Sequence, residues 1–199
     1  MYAYIKGNLE IKTTSYVIID VGGIGYKIFM SEPAMKNLGE IGKIVKVYTY
    51  LKVQEDDMSL YGFNTNEELR LFEMLISVSG VGAKTAIAML SNIAPSSFAL
   101  AIITNDIGKL KKLPGIGAKT AQRLVLELKD KLKKAEMEEE EDEEIKEAII
   151  DDNKISEAGA ALQVLGYRKA EIEQALIKVD KENLTVEDII RKGLANLAK

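Results

Sequence analysis

The sequence predicts an α+β chain in which a five-stranded barrel precedes two all-helical units, and three observations predict it. Residues 1–64 carry a strand period and are rich in Tyr, Val and Ile. At Thr65 the period changes from two to about 3.6 residues, the signature of helices. A nearly continuous acidic run, Glu136 to Asp152, then sets a last helical stretch apart from the rest. With 199 residues, 47% of them hydrophobic, the chain is long enough to bury a core in two or three small domains.

In the first unit, residues 2–9, 16–21, 25–30, 44–53 and 58–63 read as strands, with Gly22-Gly23 marking a tight turn. Five short strands in this length suit a closed barrel of the oligonucleotide-binding (OB) type, and an SH3-like barrel fits the same pattern. Thr65 and Glu68 form a capping-box pattern, after which Leu69, Phe72, Leu75 and Ile76 mark one helix face. Residues 65–133 continue as short helices broken at Gly80, Pro95 and Pro114. The uncharged run from Thr85 to Asn105 has the length of a membrane span. Ser91-Asn92 and Pro95-Ser96-Ser97 interrupt it with cap and turn chemistry, so two short buried helices are expected and no membrane partner.

Residues 134–152 carry eleven acids and two bases, the composition of a self-repelling linker. Beyond it, Ile155, Ala158, Leu162 and Leu165 define a helix stopped by Gly166, and Ile172, Leu176 and Val179 define a second. Thr185 with Asp188 caps a third, which buries Ile190, Leu194 and Leu197. Residues 153–199 are therefore expected to form a separate three-helix domain on a mobile tether.

Composition narrows the chemistry. There is no cysteine and no histidine, which excludes disulfide scaffolds, thiolate nucleophiles, the usual zinc sites and every histidine-based triad. No cofactor is expected. The opening Met1-Tyr2-Ala3-Tyr4-Ile5-Lys6-Gly7 lacks the charged-then-apolar pattern of a signal peptide, so a cytoplasmic location is expected. The net charge of -4 resolves by segment: residues 134–152 alone carry -9, and residues 65–133 hold ten bases against six acids. The middle of the chain is its basic part, as a phosphate-binding surface requires.

That basic segment contains an internal repeat. Gly80-Val81-Gly82-Ala83-Lys84-Thr85-Ala86 recurs as Gly115-Ile116-Gly117-Ala118-Lys119-Thr120-Ala121, with one difference, Val81 against Ile116. A nucleotide-binding P-loop needs Gly directly before the Lys and a strand before the loop; here Ala83 and Ala118 precede the lysines, and each copy follows a helical stretch. What remains is helix, tight hairpin, helix. Glycines allow positive φ and close backbone approach, the hairpin N–H groups and the next helix N-terminus face an anion, and Lys84, Lys119 and Arg123 add charge beside it. A compact helix connection with Val81 and Ile116 plugging the core explains one copy as well; two matched copies in the basic segment favour contacts to DNA backbone, indifferent to base sequence.

Residues 1–133 resemble the first two domains of the RuvA family. The likeness rests on the predicted barrel, on Leu60-Tyr61-Gly62-Phe63 at its end and on the paired helix-hairpin-helix motifs; the acidic linker and three-helix tail extend it over nearly the whole chain. The resemblance implies non-catalytic binding of four-way (Holliday) junctions. It implies a fourfold tetramer, with a face-to-face octamer left open, that grips duplex backbone through Gly80, Val81, Gly82, Lys84, Thr85, Gly115, Ile116, Gly117, Lys119, Thr120 and Arg123. Ala118 departs from a position that is often basic in relatives. The resemblance also implies a RuvB-type hexameric ATPase motor as partner, with a junction resolvase as a further candidate.

Two further clusters stand out. Glu55-Asp56-Asp57 sits at the tip of a predicted hairpin, where a solvated turn is the commonest reading and a magnesium-dependent nuclease site the least supported, since no second ligand set or base accompanies it. The family resemblance implies that Glu55 and Asp56 form an acidic pin near the crossover. In the tail, Leu165-Gly166-Tyr167 resembles the exposed loop of ubiquitin-associated (UBA) three-helix domains, which implies that Leu165, Tyr167 and Leu194 meet the motor; Tyr167 covering its own small core is the plainer reading. A helix-hairpin-helix repair nuclease or glycosylase is the competing class and lacks an identifiable nucleophile or metal set. An adaptor that ignores DNA leaves the repeat unexplained.

Overall fold

A computed structural model describes residues 2–140, 153–177, 179 and 184–197. Strands β1 (Tyr4–Lys12), β2 (Tyr16–Val21), β3 (Ile24–Phe29), β4 (Ile44–Val53) and β5 (Met58–Phe63) close into a barrel of order β1-β2-β3-β5-β4. All neighbours are antiparallel except β3 and β5, which run parallel. That order, with helix α1 (Glu32–Asn37) between β3 and β4, is the OB arrangement and removes the SH3-like alternative. Alternate residues Ile5, Leu9, Val17, Ile19, Ile28, Val45, Val47 and Leu60 fill its interior. Gly62 is obligatory there: a Cβ would stand 2.5 Å from Ile28 Cγ2 and 2.6 Å from Val47 Cγ1.

Two local expectations change. Strand β1 runs on to Lys12 because the pairing with β2 absorbs an irregularity between Leu9 and Ile11, which hides the continuation from a period-two reading. Helix α1 is too short for periodicity; its signals are Ser31, whose Oγ accepts from Ala34 N–H, and Pro33 in the first turn.

The central unit comprises α2 (Asn66–Ile76), α3 (Ala83–Leu90), α4 (Pro95–Ile103), α5 (Ile107–Leu110) and α6 (Ala118–Glu140). Thr65 Oγ1 caps α2 by accepting from Glu68 N–H at 3.3 Å, while Glu68 Oε2 reaches back to Asn64 N–H at 2.9 Å, one residue earlier than the standard box. Burial holds the Glu68 carboxyl above the usual carboxylate range. The buried stripe of α2 is Glu67, Leu71, Phe72 and Leu75, rotated from the predicted face, with Leu69 and Ile76 only partly covered. Phe72 joins the units, its ring 4.9 Å from Phe63 and 5.3 Å from both Tyr50 and Tyr61.

The uncharged run folds as α3 and α4 bent by 103°, and among the described residues no single helix is long and apolar enough to cross a membrane. Helix α6 continues to Glu140, past the expected boundary at 133, so the first part of the acidic stretch is helical; residues 141–152 lie outside the described residues.

The tail folds as α7 (Asn153–Val164), α8 (Lys169–Ile177) and α9 (Val186–Leu197), with Thr185 Oγ1 capping α9 by accepting from Asp188 N–H. It does not stand apart. Helix α7 packs along α4, and one continuous apolar cluster runs from Phe63 and Phe72 through Phe98 and Ile102 to Ala158, Leu162 and Ile190. The physical reason lies in α4, whose sequence has no charged residue and whose Phe98, Ala99 and Ile102 need an apolar cover. Polar contacts accompany it: Ser97 Oγ donates to Glu187 Oε1 at 2.7 Å.

Candidate nucleic-acid interface

The two copies of the repeat fold alike. In the first, α2 ends at Ser77, Val81 N–H donates to Val78 carbonyl at 3.0 Å, and Ala86 N–H donates to Gly82 carbonyl at 2.9 Å to open α3. In the second, Ile116 N–H donates to Leu113 carbonyl at 3.1 Å and Ala121 N–H to Gly117 carbonyl at 2.9 Å. Gly80 and Gly115 hold φ at +90° and +75°, a left-handed conformation that a side chain would strain. Both copies follow helices, α2 and α5, which agrees with rejecting a P-loop.

The apolar centre of each hairpin points inward: Val81 and Ile116 are buried, so these two residues can offer a ligand only their backbone. Gly82 and Gly117 are exposed with nothing within 4 Å of a would-be Cβ, leaving the hairpin backbone open to close approach. Gly82 also caps α3 without a side chain, so the first N–H groups of that helix keep no side-chain acceptor. Lys84 and Lys119 are exposed, and among the described residues neither pairs with an acid. Thr85 and Thr120 are half-buried. The hairpins abut, since a Cβ on Gly115 would meet Thr85 Cγ2 at 3.1 Å.

Arg123, expected beside the phosphates, is also engaged within the protein. Its Nη1 donates to Ser79 Oγ at 3.1 Å and to Ser79 carbonyl at 3.3 Å, and its Nε lies 3.6 Å from Glu127 Oε1. Ser79 and Glu127 drew no attention in the sequence, although the i,i+4 spacing of Arg123 and Glu127 on α6 was readable.

The acidic tip is the turn between β4 and β5, closed by Gln54 N–H donating to Asp57 carbonyl at 2.8 Å, with Glu55, Asp56 and Asp57 all exposed. Ser59 Oγ donates to Asp57 Oδ2 at 2.7 Å. Among the described residues no group of three or more acids is arranged to hold a metal ion. A groove of about 900 Å³ runs from this turn to the first hairpin, lined by Lys52, Gln54, Asp57, Gly82 and Lys84 among others. It brings the acidic turn and the first hairpin together, while no residue of the second hairpin lines it.

The tail loop, for which the sequence left an exposed and a covered reading, is covered. Leu165 is fully buried and Tyr167 is 8% exposed. Tyr167 hydroxyl donates to Glu67 Oε1 at 3.0 Å, Arg70 guanidinium sits 4.3 Å over its ring, and Arg70 Nη1 donates to Gly166 carbonyl at 3.1 Å. Burial and the Glu67 charge push the Tyr167 hydroxyl well above the usual phenol range. The carboxylate on the buried stripe of α2 is thereby explained: Glu67 is there for the tail. Leu194 is partly buried against the same cluster.

A closed OB barrel carrying two abutting, lysine-flanked glycine hairpins defines a protein of the tandem helix-hairpin-helix class. Family models place it further. Residues 1–62 match the RuvA N terminal domain, 72–130 the SAM-like helix-hairpin-helix tandem, and 153–198 the RuvA C-terminal domain. The chain is 51% identical over 201 residues to the Holliday junction branch migration complex subunit RuvA of Acetivibrio thermocellus, covering all of both chains. It is 44% identical over 203 residues to the subunit of that name from Ruminiclostridium cellulolyticum, covering 99% of this chain and all of the relative. A Clostridium perfringens protein of the same name is also 44% identical over 203 residues, with full coverage of both chains. The chain belongs to the RuvA family.

Proposed function

We propose that this chain binds four-way DNA junctions by their sugar-phosphate backbone, performs no covalent chemistry on them, and presents them to a hexameric ATPase motor of the RuvB type for branch migration. The observation that carries the reading is the matched pair of hairpins, each with a left-handed glycine, an open backbone and an exposed lysine that pairs with no acid among the described residues. Two such units side by side grip two phosphate runs of one duplex without reading bases. Lys84 and Lys119 supply charge; Gly80, Gly82, Gly115 and Gly117 let the backbone N–H groups approach; Thr85 and Thr120 open the helices behind them. Four copies around a fourfold axis would give each arm of a junction its own pair, and two such tetramers could enclose it as an octamer. A single tetramer would instead leave one face of the junction open to a junction resolvase. The setting would be cytoplasmic.

A gel-shift comparison of an immobile four-way junction with linear duplex of equal length, in magnesium and with the products analysed, tests this reading. Strong preference for the junction with intact strands is expected. Equal binding to both, or cleavage by the wild type, would sink it.

In the same reading Glu55 and Asp56 act by repulsion. Unit charges a few ångströms apart repel by about 1 to 4 kcal/mol at dielectrics between water and a protein surface, so a continuous linear backbone is disfavoured at the tip, while an open junction centre accommodates it. Replacing Glu55 with Gln and Asp56 with Asn is expected to raise linear-duplex affinity more than junction affinity. An unchanged ratio would return the cluster to a solvated turn.

The tail remains the proposed motor contact through Leu165, Tyr167 and Leu194. With Gly166 and Tyr167 held against α2, engagement by the motor requires the loop to leave Glu67 and Arg70 first.

A further inference from the structure

The second hairpin's helix reaches back to the residue that precedes the first hairpin. Arg123 and Glu127 stand one turn apart on α6, and both reach Ser79, immediately before the left-handed Gly80: Arg123 Nη1 donates to the Ser79 carbonyl and Oγ, and Ser79 N–H donates to Glu127 Oε2 at 3.4 Å. The Arg123–Glu127 pair, 3.6 Å apart, ties the two arms to each other. The repeat does not return the arrangement. Thirty-five residues separate the copies, so Ser79 corresponds to Pro114, Arg123 to Ala88 and Glu127 to Asn92. Proline has no N–H to offer, and neither Ala88 nor Asn92 carries charge.

We infer that Ser79, Arg123 and Glu127 form a clamp that sets the spacing of the first hairpin relative to the second, and that Glu127 and Ser79 are positioning residues for DNA binding. The inference rests on the proposed junction reading but makes a separable claim. A carboxylate on a phosphate-binding face is unfavourable by charge alone, and its presence beside Arg123 needs a reason. Its hydrogen bond to Ser79 N–H supplies one: it fixes the peptide that leads into Gly80 and keeps Arg123 folded across the hairpins.

The sign of one substitution separates the two accounts. Simple electrostatics says that Glu127→Ala tightens DNA binding, by deleting a negative charge and releasing Arg123 to the phosphates. The clamp says that it weakens junction binding, about fivefold for the loss of roughly one net hydrogen bond's worth of organisation. Glu127 is only partly buried and outside the apolar core, so folding should survive, and an unchanged thermal midpoint of the full chain checks this. Glu127→Gln keeps an oxygen for Ser79 N–H and should recover most of the loss.

Because the clamp acts through the first hairpin, the penalty of Lys84→Ala should shrink in the Glu127→Ala background while that of Lys119→Ala persists. The measurement is a titration of an immobile four-way junction against each variant. Wild-type or tighter binding by Glu127→Ala, failure of Glu127→Gln to improve on it, or equal coupling to both lysines would overturn the clamp. A wild-type protein that fails to prefer the junction would instead overturn the proposed function.

Discussion

Substituting both Lys84 and Lys119 with Ala is expected to cut junction affinity at least tenfold at moderate salt, with the loss equal for all arm sequences. Charge-assisted contacts to phosphate are worth about 1.5–3 kcal/mol each, and both lysines are exposed beside open hairpin backbone with no acid paired to them among the described residues. Each contact removed should also flatten the dependence of log affinity on log salt by about one unit. Titrations at several salt concentrations measure both quantities together. Unchanged affinity and slope would mean that the hairpins are compact helix connections and nothing more.

The second large effect concerns the seam between barrel and helices. Phe72→Ala is expected to destabilise the protein by about 3–5 kcal/mol, the usual cost of deleting a fully buried aromatic ring. Phe72 has no exposed surface and lies within 5.3 Å, centroid to centroid, of Tyr50, Tyr61 and Phe63, which come from β4 and β5. Native stability is typically about 5–15 kcal/mol, so the loss would be visible as a large fall in the urea midpoint. Leu126→Ala makes the control: the residue is 63% exposed, and truncating its side chain should cost no more than about half a kcal/mol. A Phe72 variant as stable as this control would show that the barrel and the helices do not share a load there.

Much of this architecture was readable because the relevant signals are local. Strands β2, β4 and β5 fall where alternation of Tyr, Val and Ile put them, and Thr65 starts a helix because its hydroxyl meets an N–H three residues on. The hairpins were legible as a repeat, since identical residues at a fixed offset build identical turns.

What escaped depends on contacts distant in sequence. The reach of α6 back to Ser79 joins residues 44 apart, and no period along α6 encodes it. Glu67 looked like an ordinary first-turn acid of α2; only the arrival of Tyr167, 100 residues later, gives it a buried partner. The tail loop kept two readings for the same reason: a tyrosine in an apolar loop reads alike whether it faces solvent or packs inward. The acidic run then suggested separation where the charge-free surface of α4 imposes docking.

That docking has a thermodynamic consequence. Tyr167 cannot rest on Glu67 under Arg70 and face another molecule at once, so ligands of the tail loop and ligands that favour or disfavour the docked arrangement at α2 and α4 are linked through one equilibrium. Such linkage is reciprocal. By whatever factor a molecule bound to the barrel-and-hairpin half shifts the loop between covered and free, a molecule bound to the free loop alters the first one's affinity by that same factor. Helix α2, which carries Glu67 and Arg70 at one end and leads into the first hairpin at the other, is the element through which the two would weigh on each other.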